Sequence, residues 1–368
     1  MKRVLFPTAL IIGMAGEASA LPLAVPFDFQ DNQIFLQVGI DGSTPNWFIL
    51  DSGASACVVD KALARKLHLR TSGSRRGTGA GKGTVEMGLL DGVTYSLPGA
   101  RFTIPKSYAI DFSGQKTVIG REVAGILGYD FFARYTVSLD FETHIMTLSD
   151  PESFQGRGEP VALTFEKKTP HIAVRIKIGD SDAVERTLLI DSGSQDAVDD
   201  DVFAASPVKL EIVGGVGLGR KFHTTIARAQ WAEIGPFRLA APLGSPGGVP
   251  LIGLETLRRF DVAFDYAHAR LFLTPNREFA EPFAMDASGL DLRWTKDLKN
   301  FAVHDVAGDT PAFDAGIEAG DEIESVEGQA AHLFRIAQIQ QLLTRDGSEV
   351  TLGLKGGRNV TLKLRKRL

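Results

Sequence analysis

Cysteine is nearly absent from this 368-residue chain: Cys57 stands alone, which excludes an internal disulfide and any zinc site built on thiolates. Set in an apolar run shortly after Asp51, it reads as a small buried hydrophobe and not as a nucleophile. The seven histidines are scattered, with no H-E-x-x-H and no paired ligand spacing, so the pattern argues against a metallohydrolase and calls for no metal. No G-x-S-x-G elbow occurs, which removes the simplest serine-hydrolase reading. Positive charge is not in excess either. A formal net charge of −5 makes nucleic acid a poor partner.

Long apolar runs are confined to the beginning. The residues MKRVLFPTALIIGMAGEASA start with Lys2 and Arg3, continue through an apolar stretch interrupted by Pro7, and end on small residues before a change of polarity. This predicts a secretory signal over 1–20, cleaved after Ala20, against the alternative of an uncleaved anchor. Its loss would move the net charge from −5 to about −6, since the leader carries two basic residues and Glu17. No other stretch is long and apolar enough to span a bilayer as a helix, so an exported protein, periplasmic or extracellular and free of the membrane after cleavage, is expected. The 44 % hydrophobic content supports ordinary cores, and the length allows two or three domains.

What is present is an aspartate in an unusual setting, placed twice. FILDSGAS (48–55) and LLIDSGSQ (188–195) each run three apolar residues into Asp-Ser-Gly. An isolated carboxylate in apolar surroundings costs several kcal/mol unless paired or hydrogen-bonded, so the position needs a reason. Shifted by 140 residues, 51–64 lies over 191–204 without a gap; shifted by 125, GYDFFARYTVSLDFETHIMTL (128–148) lies over GLETLRRFDVAFDYAHARLFL (253–273). The chain is therefore duplicated, with 15 extra residues between the two blocks of the first copy. Alternating polarity at 34–41 and 172–180, abundant glycine and short elements predict a mainly β fold.

Two glycine-rich stretches invite a nucleotide-binding reading and fail it. In RGTGAGKGT (76–84) the residue five before Gly81 is Arg76 and Lys82 is followed by Gly83, which is not a P-loop; VGGVGLGRK (213–221) lacks the G-x-G-x-x-G register.

Asp-Ser-Gly after an apolar run, followed later by an apolar pair and Gly, resembles the pepsin clan of aspartic proteases, specifically the bacterial retropepsin-like ones. The matching blocks are FILDSGA with GILGYDFF and LLIDSGS with PLIGLETL, over residues 28 to 275. The resemblance implies a bilobal pair of pepsin/retropepsin-like β-barrels, with lobes at 21–152 and 153–276 packed as a pseudo-dimer within one monomer. Asp51 and Asp191 would form the catalytic dyad, and Ser52, Gly53, Ser192 and Gly193 its scaffold. The activity implied is hydrolysis of a peptide or protein substrate without cofactor. The clan carries a flap between these blocks, which makes Gly77, Gly79, Gly81 and Gly83, and Gly215, Gly217 and Gly219, candidate flap tips; an ordinary surface hairpin is the alternative at each. Asp140 and Asp265, at matching points of the closing strands, read as solvated or turn-supporting.

After a polar linker at 277–286, the segment 287–368 resembles a bacterial PDZ domain, with DTPAFDAGIEAGDEI as its most specific run. By that resemblance Asn300, Phe301, Ala302 and Val303 form a carboxylate-binding loop, with Ala302 where Gly is usual, able to hold the C-terminus of a peptide. Two rivals to the endopeptidase stay open: an exported peptide-binding scaffold of the same fold without turnover, and homodimerisation through one repeat.

Overall fold

The computed structural model describes residues 21–78, 84–213 and 223–368, and is mainly β. Residues 1–20 and the candidate flap positions Gly79, Gly81, Gly83, Gly215, Gly217 and Gly219 lie outside the described residues.

The duplication read from the sequence reappears as hydrogen bonding. In the first repeat, neighbouring strands run Gln33–Ile40, Asn46–Leu50, Gly125–Leu127, Val58–Asp60, Ala100–Ile110, Thr84–Leu97 and Thr71–Thr78. In the second they run Thr169–Lys177, Val184–Ile190, Leu251–Ile252, Val198–Asp199, Leu243–Ser245, His223–Arg228 and Lys209–Val213, in the same sequence of roles. The apolar pair of each repeat has a clear task. Gly125–Leu127 lies parallel to Asn46–Leu50, and Leu251–Ile252 lies parallel to Val184–Ile190, so each apolar run into Asp-Ser-Gly becomes a strand with neighbours on both sides. Strands covered in this way read as continuous apolar segments, as FIL and LLI do.

The closing strands do not stay with their own repeats. Thr136–Asp140 and Ile145–Ser149 from the first join Phe260–Asp265 and Arg270–Pro275 from the second in one six-stranded sheet, bridged where Val137–Leu139 pair with Val262–Phe264. One continuous apolar core spans both repeats as a result. Asp140 and Asp265 cap turns at the ends of these strands. The Oδ1 of Asp140 accepts from the N–H groups of Glu142 and Thr143, both at 2.9 Å, while Asp265 is buried against Arg270 and His268. Asp265 therefore supports a turn without being solvated.

In both candidate flap intervals the described strands pair antiparallel, Thr71–Thr78 with Thr84–Leu97 and Lys209–Val213 with His223–Arg228. Gly77 sits within the first, opposite Val85.

The segment from Ala287 onward has its own core and sheet, ordered Leu290–Trp294, Phe301–Val306, Glu322–Val326, Glu349–Leu354 and Arg358–Lys363, with the helix Ile336–Leu343 packed on it through Ile336, Ile339 and Leu343. The chain leading to it is not a loose tether. Arg259, fully buried, donates to the carbonyls of Glu278, Glu281 and Pro282 and stacks on Phe283.

One expectation is corrected here. Phe301, Ala302 and Val303 lie in a strand paired along both edges, Phe301 and Val303 are buried, and the Val303 N–H donates to Asp321 O at 2.8 Å. Amides already used inside a sheet cannot bind a carboxylate. Asn300, just before the strand, donates its side chain to Glu322 at 2.8 Å. The edge strands of this sheet are Leu290–Trp294 and Arg358–Lys363.

Candidate active site

Each apolar strand ends by handing its chain direction to the short parallel strand beside it. The Asp51 N–H donates to Leu127 O at 3.0 Å, and the Asp191 N–H to Ile252 O at 2.9 Å. The next residues turn sharply and meet across the seam between the repeats.

There the two serines form a reciprocal lattice. The Ser52 N–H donates to Ser192 Oγ and the Ser192 N–H to Ser52 Oγ, both at 2.9 Å. Each hydroxyl then donates onward, Ser52 to Ile190 O at 2.7 Å and Ser192 to Leu50 O at 2.9 Å. Both serines are fully buried, so every one of these bonds is shielded from competition with water.

The lattice brings the two carboxyls into contact, close enough for one to hydrogen-bond the other. A Cβ on Gly53 would stand 2.6 Å from Asp191 Cγ, and one on Gly193 2.4 Å from Asp51 Cγ. Real side chains do not approach so closely, and the absence of a side chain at these two positions is what lets the loops close. Amides of the following turn act on each carboxyl, Gly53 and Ala54 on Asp51, Gly193 and Ser194 on Asp191. Asp51 Oδ1 accepts from the Ala54 N–H and Asp191 Oδ1 from the Gly193 N–H, both at 2.8 Å.

The electrostatics follow from the enclosure. Burial lifts the Asp51 carboxyl well above the usual range, and repulsion from Asp191 adds to it. Asp191 is raised too, chiefly by burial, while backbone and carboxyl hydrogen bonds offset part of the shift. Two desolvated carboxyls in contact resist double ionisation and titrate as a unit, as aspartic protease dyads are known to do.

Two positioning residues escaped the sequence reading. Tyr266 Oη donates to Ser52 O at 3.0 Å, and Gln33 Nε2 donates to Ser192 O at 3.4 Å and Gly193 O at 3.2 Å. Thus the carbonyl after each aspartate is held by a side chain from the opposite repeat. Tyr266 remains a neutral donor because burial, then the charges of Asp51 and Asp191, push its phenol well upward. A signal for Tyr266 existed: at the offset of 125 it lies over Phe141, which has no hydroxyl. Gln33 carried none.

Cys57 is buried, accepts from the Gly128 N–H at 3.3 Å, and has its thiol pushed up to about 12 by burial. Such a thiol is inert packing.

Residues 36–131 match a family model described as aspartyl protease. That span runs from within the strand Gln33–Ile40 through the first repeat's apolar-Gly block and includes Asp51. No match was found among curated proteins. Among solved structures, basic 7S globulin from soybean is similar at 12% identity with a TM-score of 0.40, covering 68% of this chain and 94% of that chain, a likeness too distant to argue from. The first repeat is thus similar to aspartyl proteases, in a mainly β chain.

Proposed function

We propose that this chain is an exported aspartic endopeptidase whose two repeats form the lobes of a bilobal enzyme, with Asp51 and Asp191 as its dyad. The observation that carries the reading is the pair of aspartates brought into contact by the Ser52–Ser192 lattice, each carboxyl packed against the glycine of the opposite loop. A structural role alone would not call for two carboxyls in contact, since burying a second one adds cost.

In this reading the dyad holds one proton. The ionised member removes a proton from a water as that water attacks the peptide carbonyl, and the protonated member hydrogen-bonds the developing oxyanion. Rate should fall on both sides of a pH optimum. At low pH the base is protonated, and as pH rises through the elevated upper titration the acid is lost. In the same reading, the candidate flap segment of each repeat would close over an extended substrate and exclude water.

The same proposal takes 1–20 as the export signal and 287–368 as a PDZ-like domain that docks a substrate or regulatory peptide by strand addition. The place for that is an edge strand of its sheet, Leu290–Trp294, against which the helix Lys116–Ile119 packs, or Arg358–Lys363, in preference to the interior strand beginning at Phe301.

The test is turnover of a peptide library by the full chain across acidic to neutral pH. Wild type should cleave, and Asp51→Asn and Asp191→Asn should each abolish cleavage while remaining folded. Activity that survives either substitution removes the shared dyad. Peptide binding with no cleavage at any pH would instead make the protein a scaffold of this fold.

A further inference from the structure

The two repeats carry equivalent hairpins, each closed by two consecutive residues of positive φ. In the first, Asp28–Gln30 pairs with the start of Gln33–Ile40 around Asp31 (φ 52) and Asn32 (φ 50). In the second, Thr164–Glu166 pairs with the start of Thr169–Lys177 around Lys167 (φ 48) and Lys168 (φ 74). Their packing is equivalent as well. Phe29 meets Phe141 with ring centroids 5.3 Å apart, and Phe165 meets Tyr266, the residue matching Phe141, at 5.0 Å.

Beyond that the twins diverge. Lys168 is exposed and reaches Asp130, at 3.8 Å, and the neighbouring Tyr129 ring, while Thr169 closes its own hairpin by donating to Glu166 O. The first hairpin instead uses three successive residues in three directions. Asp31 Oδ1 accepts from the Ala337 N–H at 2.7 Å, in the first turn of the C-terminal domain's helix Ile336–Leu343. Asn32 Nδ2 donates to Glu255 Oε2 at 2.8 Å, and Gln195 Nε2 donates to Asp31 O. Gln33 holds Ser192 O and Gly193 O, the loop of one dyad aspartate.

Two more contacts join the C-terminal domain to the first repeat: Arg335 pairs with Asp28 at 3.7 Å, and the helix Lys116–Ile119 packs on the strand Leu290–Trp294. This seam is imperfectly satisfied. Trp294 Nε1, set against Gly120, and Arg121 Nη1, beside Asp28, are buried without hydrogen-bond partners. Unpaired buried donors are relieved on separation, so the seam suits a contact that forms and breaks.

We infer that the 28–33 hairpin couples the seating of the C-terminal domain to the geometry of the Asp191 loop, Asp31 sensing the domain and Gln33 positioning the loop. Among the described residues the Asp51 loop has no such link, since its carbonyl partner Tyr266 sits on the shared sheet's own connection. The C-terminal domain therefore acts on one half of the dyad. The kinetic consequence rests on the protease reading above; the coupling itself does not.

The experiment uses the full chain with Asp31→Gly, Asp31→Asn, Gln33→Met and the Asp31→Gly/Gln33→Met pair. Glycine suits the positive φ at position 31 and removes the carboxyl without backbone strain, whereas Asn keeps an acceptor for the Ala337 N–H. Hydrogen exchange is read at the amides of Ser192, Gly193 and Ser194, alongside kcat and KM on a cleaved peptide. Asp31→Gly should speed exchange there about tenfold and lower kcat about three- to tenfold with KM within about twofold, because misplacement acts on chemistry more than on binding. Asp31→Asn should stay near wild type, and the double variant should be no worse than Gln33→Met alone. Wild-type exchange and kcat in Asp31→Gly, or effects that multiply in the double variant, would overturn the coupling. Should wild type cleave nothing, the protease reading falls and the exchange comparison alone decides the coupling.

Discussion

Replacing Ser52 by Ala tests the lattice on which the dyad geometry depends. The substitution deletes two buried bonds, the one accepted from the Ser192 N–H at 2.9 Å and the one donated to Ile190 O at 2.7 Å. With Ser52 fully buried, no water replaces the lost hydroxyl, and the Ser192 N–H and Ile190 C=O each lose a partner. A typical bond contributes about 1 kcal/mol net and an orphaned buried group costs about 1–3 kcal/mol, so a loss of about 2–4 kcal/mol is expected. That is a large share of the roughly 5–15 kcal/mol by which domains are stable. The assay is equilibrium denaturation at two pH values, with peptide turnover measured in parallel. Because the deleted groups are neutral, the loss should be alike at pH 4 and pH 7, which separates it from any effect through the carboxyls. Ser52→Thr keeps the hydroxyl and should retain most of both stability and turnover. Combining Ser52→Ala with Ser192→Ala should cost less than the sum of the two, since the first loosens the loops that the second relies on. Stability within about 0.5 kcal/mol of wild type in Ser52→Ala, a difference usual for an unimportant surface site, would refute the reasoning.

Asp199 offers a pH-dependent test. Burial, then repulsion from Asp196, raises its carboxyl to about 8, although the Ser245 N–H at 3.2 Å opposes the shift. A folded-state value above the unfolded one, about 3.9, means the fold bears no penalty below pH 4 and a growing one as pH rises to about 8. Asp199→Asn should therefore leave stability unchanged at pH 4 and raise it by about 2–4 kcal/mol at pH 8, read from melting curves; an equal effect at both pH values would contradict this. Gly193→Ala should lower kcat/KM by about a hundredfold or more with the circular dichroism spectrum retained, because its methyl would overlap the Asp51 carboxyl and displace the dyad. Wild-type kcat/KM in that variant would show that the two loops do not need this close approach.

Much of the site was legible because its information is local. An apolar run ending in Asp-Ser-Gly, a short apolar pair before Gly, and two offsets at which these blocks recur are properties of neighbouring residues, and they located the paired aspartates and serines together with the two hairpin intervals. The expectation for 300–303 failed for the complementary reason. Whether a backbone amide is free depends on which strands flank it, and Phe301–Val306 acquires partners on both sides only when Leu290–Trp294 and Glu322–Val326 assemble around it.

The amino-acid order by itself thus determined the duplication, the strand-rich character and the identity of the residues brought to the seam, since side-chain periodicity and chain reversals are set over a few residues. Tertiary structure decided the rest. It merged the closing strands of both repeats into one sheet, let Tyr266 and Gln33 each grip the carbonyl of the opposite loop, and set Asp31 against the helix Ile336–Leu343 across a separation of 306 residues. Such contacts have no short-range signature. Glutamine at the start of a strand and aspartate in a tight turn satisfy local rules almost anywhere, and only the docking of distant surfaces gives their hydrogen-bonding groups a particular partner.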